Sequence, residues 1–253
     1  MKFRYISSYF ALMFLSLFAE QVNASILDNL YTGLAISWDH LGGKSYGVLT
    51  NHAGNQLIFS NGRSLCANRM NGYLFVGKSH NLQQLPIFTG YEFQIGQGSL
   101  SSQLDNTASD PNSGLLTGPL QRRMDPKLRR QMSASLIMRI GGRFLESLRL
   151  YGLFGIDLSH FKYSYIVENI DVMSARVNGF QTFVKTKWKT APTLGLGIDK
   201  KIDKVRVGLE YRFASYGALQ ASRRVQQAAA TELISIGVRP YISSIMLRLC
   251  YGV

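Results

Sequence analysis

Residues 204–213 read KVRVGLEYRF. Val205, Val207, Leu209, Tyr211 and Phe213 occupy the odd places; Lys204, Arg206, Gly208, Glu210 and Arg212 occupy the even ones. A two-residue period puts successive side chains on opposite faces of a β-strand. The stretch is therefore a strand with one wholly apolar face and one face of charge and glycine. Two environments suit such a strand. Its apolar face can line a protein core, or it can turn outward into lipid.

The same alternation recurs along the chain. Residues 30–39 (LYTGLAISWD), 87–96 (IFTGYEFQIG) and 131–140 (QMSASLIMRI) repeat it, as do 148–157 (LRLYGLFGID), 188–199 (WKTAPTLGLGID) and 244–253 (SIMLRLCYGV). Residues 70–78 (MNGYLFVGK) make an eighth candidate whose parity is ambiguous. Each is close to the length of about 9–11 residues that a tilted strand needs to cross a bilayer. No segment of comparable strength has a helical period, although the Gln/Ala-rich 220–231 is expected as a short helix in a loop. The connections 41–69, 97–130, 158–187 and 214–243 are long, the last two expected to be partly taken up by strand extensions, and 79–86, 141–147 and 200–203 are short. Long and short alternate, so all long loops fall at one end of an up-and-down barrel and all short turns at the other.

Three features favour lipid outside over an internal core. Glycines Gly33, Gly90, Gly155, Gly195, Gly197, Gly208 and Gly252 share the non-apolar face, which suits a crowded lumen. Charges of both signs lie on that face: Glu92, Arg139, Asp157, Arg206, Glu210, Arg212 and Arg248, expected as hydrogen-bonded lumen ion pairs. Trp38, Trp188, Tyr211, Phe213 and Tyr251 sit toward strand ends on the apolar face, as in an interfacial aromatic girdle. The expected fold is all-β: an eight-stranded antiparallel transmembrane barrel over 25–253, with short turns in the periplasm and long loops outside. A soluble lipocalin-like carrier is the competing fold.

The 253 residues open with MKFRYISSYFALMFLSLFAEQVNAS, a basic start, a short apolar stretch and small residues before a cleavage site between Ala24 and Ser25. Residues 1–24 are thus expected as a secretory signal peptide. With 46% hydrophobic and 17% charged residues the chain is neither disordered nor a helical membrane protein. Cys66 and Cys250 are expected at opposite barrel ends, as unpaired thiols.

The formal charge of +13 points to anionic lipid or acidic glycans; for an exported chain nucleic acid is the poorest partner. Two basic stretches are expected in surface loops. QRRMDPKLRR (121–130) supplies Arg122, Arg123, Lys127, Arg129 and Arg130, and SRRVQQ (222–227) supplies Arg223 and Arg224. Such cations suit lipopolysaccharide phosphates or host acidic glycans, or else form a merely solvated loop. Lys185, Lys187 and Lys189 should point to the lumen mouth, where an open pore would favour anions. A barrel of eight strands is normally filled by its own side chains, so a wide pore is not expected.

GLEYRF (208–213), TLGLGID (193–199) and YTGLAISW (31–38) resemble the OmpA-like and opacity-type eight-stranded outer-membrane barrels, the small bacterial surface-antigen group. The resemblance spans the mature chain and implies a structural, antigen or adhesin role, a monomer, and assembly-machinery recognition of the last strand. The family usually ends in Phe or Trp, whereas the sequence here ends Tyr251-Gly252-Val253, and a peptidoglycan-binding domain after the barrel is not expected.

Catalytic patterns are weaker. Asp157, Ser159 and His160, with Asp39 and His40, suggest a lipid A-modifying rim cluster. Ser159 and His160 are neighbours, however, and face opposite sides of a strand. Gly195-Leu-Gly197 lacks the third glycine and the helix of a dinucleotide site. No metal-ligand spacing and no cofactor motif is found. The chain is therefore expected not to be an enzyme.

Overall fold

A computed structural model describes residues 29–50, 56–59, 64–81, 86–103, 120–145, 147–171, 176–227 and 230–252. The expected signal peptide and its Ala24–Ser25 junction lie outside the described residues. The strands, in chain order, are β1 (Leu30–Thr50), β2 (Gln56–Phe59), β3 (Ser64–Asn81), β4 (Ile87–Gln103), β5 (Leu120–Arg143), β6 (Leu148–Asp171), β7 (Arg176–Ile202), β8 (Val205–Ser215), β9 (Leu219–Gln227) and β10 (Ala230–Gly252). Eight of them, β1, β3, β4, β5, β6, β7, β8 and β10, pair antiparallel with their neighbours, and β10 returns to β1 along its length, closing the barrel. β2 runs on the edge of β1 beyond β3, and β9 continues the line of β8 along β10.

The lipid-or-core question of the opening stretch is resolved by exposure. Leu209, Tyr211 and Phe213 are exposed, whereas Glu210 and Arg212 between them are buried. Around the wall Leu34, Ile36, Leu74, Leu136, Ile156, Leu196 and Leu247 are each more than half exposed. An apolar band this continuous on the outside suits a lipid solvent and not water. The ambiguous 70–78 stretch also resolves: Tyr73 and Phe75 point inward, Leu74 and Val76 outward. Aromatic rings inside the lumen had blurred its pattern. They fit because glycine faces them. A Cβ on Gly33 would stand 2.4 Å from the Phe75 ring, one on Gly96 2.3 Å from that of Tyr73, and one on Gly197 2.5 Å from that of Tyr151.

The strands run well past the expected segments, and this corrects two expectations. Residues 121–130 are not loop but part of β5; the strand extensions expected within 158–187 are there, as parts of β6 and β7. The described residues of the Gln/Ala-rich 220–231 are strand, not the expected helix. Residues 219–227 are β9, hydrogen-bonded to the β10 extension, because a ladder partner outweighs the weak helical propensity of an isolated short segment. Two prolines mark changes in the wall. The β7–β8 register ends at Thr193↔Ala214, next to Pro192, and β8 and β9 are interrupted at 216–218, opposite Pro240. Proline has no N–H for a ladder. Opposite Pro240 only its carbonyl is used, accepting from Tyr216 N at 2.9 Å.

The β3–β4 register likewise ends at Gly72↔Gln97. Beyond these two seams, among the described residues, the wall becomes two ribbons, β4–β5–β6–β7 on one side and β9–β10–β1–β3 on the other. The ribbons pack face to face on a layer of fully buried Leu41, Leu65, Leu100, Leu128, Phe161 and Val238. At the other end the turns are short. The β7–β8 hairpin is closed by Asp203 and Lys204, with Asp203 at φ 54°, a conformation that Asp tolerates better than most residues.

Candidate functional site

The lumen below the apolar layer holds two polar networks. Nearer the short turns, Glu92 on β4 and Glu210 on β8 face Arg139 on β5, Arg212 on β8 and Arg248 on β10. Arg139 bridges both carboxylates, Nη1 at 2.8 Å from Glu92 Oε2 and Nη2 at 3.0 Å from Glu210 Oε1. Arg248 pairs with Glu92 and, through Nη1 at 2.5 Å, with Glu210 Oε1. Arg212 pairs with Glu210 and donates to Gln94 Oε1 at 2.5 Å. Tyr151 donates its hydroxyl to Glu210 Oε1 at 2.8 Å, and Arg248 lies over the Phe75 ring. Burying five charges is costly unless each finds several partners, as it does here. Arg206 stands apart, near the turn, 3.4 Å from Asp199.

The second network centres on Arg130, and here one expectation fails. Arg130 was expected among the loop cations. It is buried in the lumen, its Nη1 3.0 Å from Asp39 Oδ2 and its Nη2 3.3 Å from Asp157 Oδ2. The cause is an irregularity at Gln131, where the β5–β6 register slips between Arg130 and Met132. One extra residue reverses facing, so Arg130 joins Ser133 and Ser135 inside, although its number has the opposite parity. Nothing in the residue order signals a bulge. Asn71 Nδ2 at 2.6 Å and the Tyr73 hydroxyl at 3.1 Å complete the surroundings of Asp39 Oδ2. Ser135 and the Tyr216 hydroxyl donate to Asp157, at 2.8 and 2.5 Å.

Of the residues considered for catalysis, the lumen gathers Asp39, Asp157 and Ser159 around Arg130, while the histidines stand apart. Ser159 Oγ is fully buried and 2.5 Å from Asp157 Oδ1, and Arg130 Nε donates to it at 2.9 Å. His160 lies on the outer face, its ring 4.9 Å from that of Trp188. His40 is also outside, with Nδ1 2.7 Å from Asn68 Oδ1. The described histidines bring no base to Ser159, and a serine held by a guanidinium and a carboxylate is placed as a structural hydroxyl.

At the end away from the short turns the ribbon β5–β6–β7 is basic. Lys127 and Arg129 on β5 are exposed, with Lys162 opposite Arg129 on β6. Lys185 and Lys187 on β7 are exposed on the lumen-facing side, and Lys189 donates to the Ala218 carbonyl at 2.7 Å. The described side chains at 127–130, 158–164 and 184–190 include no carboxylate. Arg122, Arg123, Arg223 and Arg224 belong to β5 and β9, not to loops, and their side chains lie outside those described. Trp38, Trp188, Tyr211, Phe213 and Tyr251 are all exposed on the outer wall, and Tyr241 joins Phe213 there at a ring distance of 5.8 Å. No disulfide joins Cys66, exposed and away from the short turns, to Cys250, which is buried near them.

No family model and no curated protein matches the chain. Solved structures similar to it include the outer membrane protein OprG from Pseudomonas aeruginosa, at 14% identity and a TM-score of 0.46 over 87% of this chain and 97% of that one. Neisserial surface protein A (NspA) is similar at 12% identity and a TM-score of 0.33, over 88% and 99%. Ail, the attachment invasion locus protein of Yersinia pestis, is similar at 11% identity and a TM-score of 0.32, over 85% and 99%. With an antiparallel wall of eight strands closed on itself, apolar outside and ionic within, the chain has the fold of the small outer-membrane β-barrels.

Proposed function

We propose that this is an outer-membrane surface protein that works by contact, its binding groups carried on the basic ribbon that extends beyond the membrane. The observation that carries the reading is the run of cations across β5, β6 and β7, where the described side chains at 127–130, 158–164 and 184–190 include no carboxylate. Lys127, Arg129 and Lys162 line the outer side of that ribbon, where lipopolysaccharide phosphates would meet them. Lys185 and Lys187, on the side facing the mouth, are placed for acidic glycans of another surface. Arginine and lysine in such a row suit phosphates and sulfates. The sealed lumen argues against conduction, since an apolar layer and two ion networks lie between its ends. The test is adhesion of cells displaying the protein to heparin-coated beads. Replacing Lys127, Arg129, Lys185 and Lys187 together by Gln should abolish the salt-sensitive part of binding. Retained binding would rule the ribbon out.

A further inference from the structure

The lumen opens at the short-turn end into a cup of about 770 Å³. Its floor is formed by Arg139 and Arg248, whose charges Glu92 and Glu210 already meet. Its walls are another matter. Arg143, Arg149, Lys201, Lys204 and Arg206 line it, against two described carboxylates, Asp199 and Asp203, an excess of three positive charges. Asp199 is engaged by Arg206. Arg149 is buried; its Nη2 donates to Asn81 Oδ1 at 3.2 Å, its guanidinium lies over the Phe88 ring at 4.5 Å, and the one carboxylate opposite it across the β6–β7 ladder, Asp199, is shared with Arg206. Like charges gathered in a half-enclosed, low-dielectric cup repel unless a counter-charge enters. The lumen above is sealed, so a solute that enters must leave by the same mouth. The cup is thus built to hold a ligand rather than to pass one.

We propose that this cup binds a soluble multivalent phosphate, an oligophosphate or phosphate ester. Guanidinium forks match phosphate oxygens in pairs, the charge excess is that of such a ligand, and the volume exceeds what a single inorganic phosphate fills. The half-buried ring of Tyr31 on the wall supplies an apolar surface for a carbon skeleton. The proposal rests on the membrane reading only for the compartment that the cup faces, which would be the periplasm.

The test is calorimetric titration of inorganic pyrophosphate into the full chain folded in zwitterionic micelles, without phosphate buffer. Saturable binding is expected. Arg149→Gln should weaken it by about tenfold, and so should Lys201→Gln with Lys204→Gln, a pair of exposed residues whose loss leaves the ion networks intact. Lys185→Gln with Lys187→Gln, at the opposite mouth, should leave it unchanged. Citrate, of similar charge but without phosphorus, should bind more weakly. Absence of saturable heat, or equal weakening by the distal pair, would overturn the proposal. Neither result bears on bead adhesion, so the two readings fail separately.

Discussion

Arg130 Nη1 and Asp39 Oδ2 lie 3.0 Å apart although 91 residues separate them, and their contact ties β5 to β1 across the lumen. The same guanidinium reaches Asp157 on β6. One side chain therefore braces three strands at the level where the wall divides into ribbons.

Replacing Arg130 by Met leaves two buried carboxylates without their cation. The expected loss is about 3–5 kcal/mol. The barrel should convert from its compact to its unfolded gel band at a temperature roughly 10 °C lower. Adding Asp39→Asn and Asp157→Asn to the Met variant should recover most of that shift. A Met variant with an unshifted transition contradicts the lumen placement of Arg130.

Glu210 accepts from three arginines and Tyr151, so Glu210→Gln should destabilise by a comparable amount, about 3–5 kcal/mol. The Arg206–Asp199 pair is partly solvated, and Arg206→Gln should cost under about 1 kcal/mol. The heat-shifted gel bands of the two variants, run side by side, rank the pairs. Equal shifts would mean that burial does not set their importance.

Leu209 is half exposed in the middle of the apolar band. Leu209→Arg should cost about 2–4 kcal/mol in a bilayer of matching thickness. Val207 and Tyr211 labelled with nitroxides should collide readily with dissolved oxygen, and Gly208 should not. The reverse pattern would turn the barrel inside out.

Glycine substitutions should divide by position. A Cβ at Gly33 would stand 2.2 Å from the Leu249 carbonyl oxygen, and one at Gly195 2.1 Å from that of Tyr211. Gly72 has nothing within 4 Å. Gly33→Val should abolish folding into micelles, whereas Gly72→Val should fold at the parent yield, as read by the compact gel band. Equal yields would show that the lumen is looser than described.

Cys66 is exposed away from the short turns, and Cys250 is buried near them. On intact cells a membrane-impermeant maleimide should label the protein once, and Cys66→Ser should remove the signal. Labelling that survives Cys66→Ser would invert the assigned orientation.

The residues show the eight crossings and most of their facing. Strict alternation at 205–213 and 244–252 leaves little choice, because a slip of one residue would bury a charge in lipid. Where the pattern is weaker it fails for identifiable reasons. Residues 70–78 put Tyr73 and Phe75 inward, so both faces look apolar. Arg130 reads as one more cation in a basic run, since a bulge at Gln131 leaves no mark in composition. The strand extensions at 121–130 and 219–227 are rich in polar residues, and polar β-structure resembles loop. The inner network needed no such luck. Glu92, Glu210, Arg139, Arg212 and Arg248 each sit between exposed apolar neighbours, and only one side of the wall could receive them.

The division of the wall at Gly72↔Gln97 and Thr193↔Ala214 leaves barrel closure to the half nearer the short turns. Each ribbon can then gain or lose residues in matched pairs, two on each arm of a hairpin, without altering which face any remaining side chain presents. Changes of that kind lengthen, shorten or recharge the ribbons without reopening the ring on which they stand.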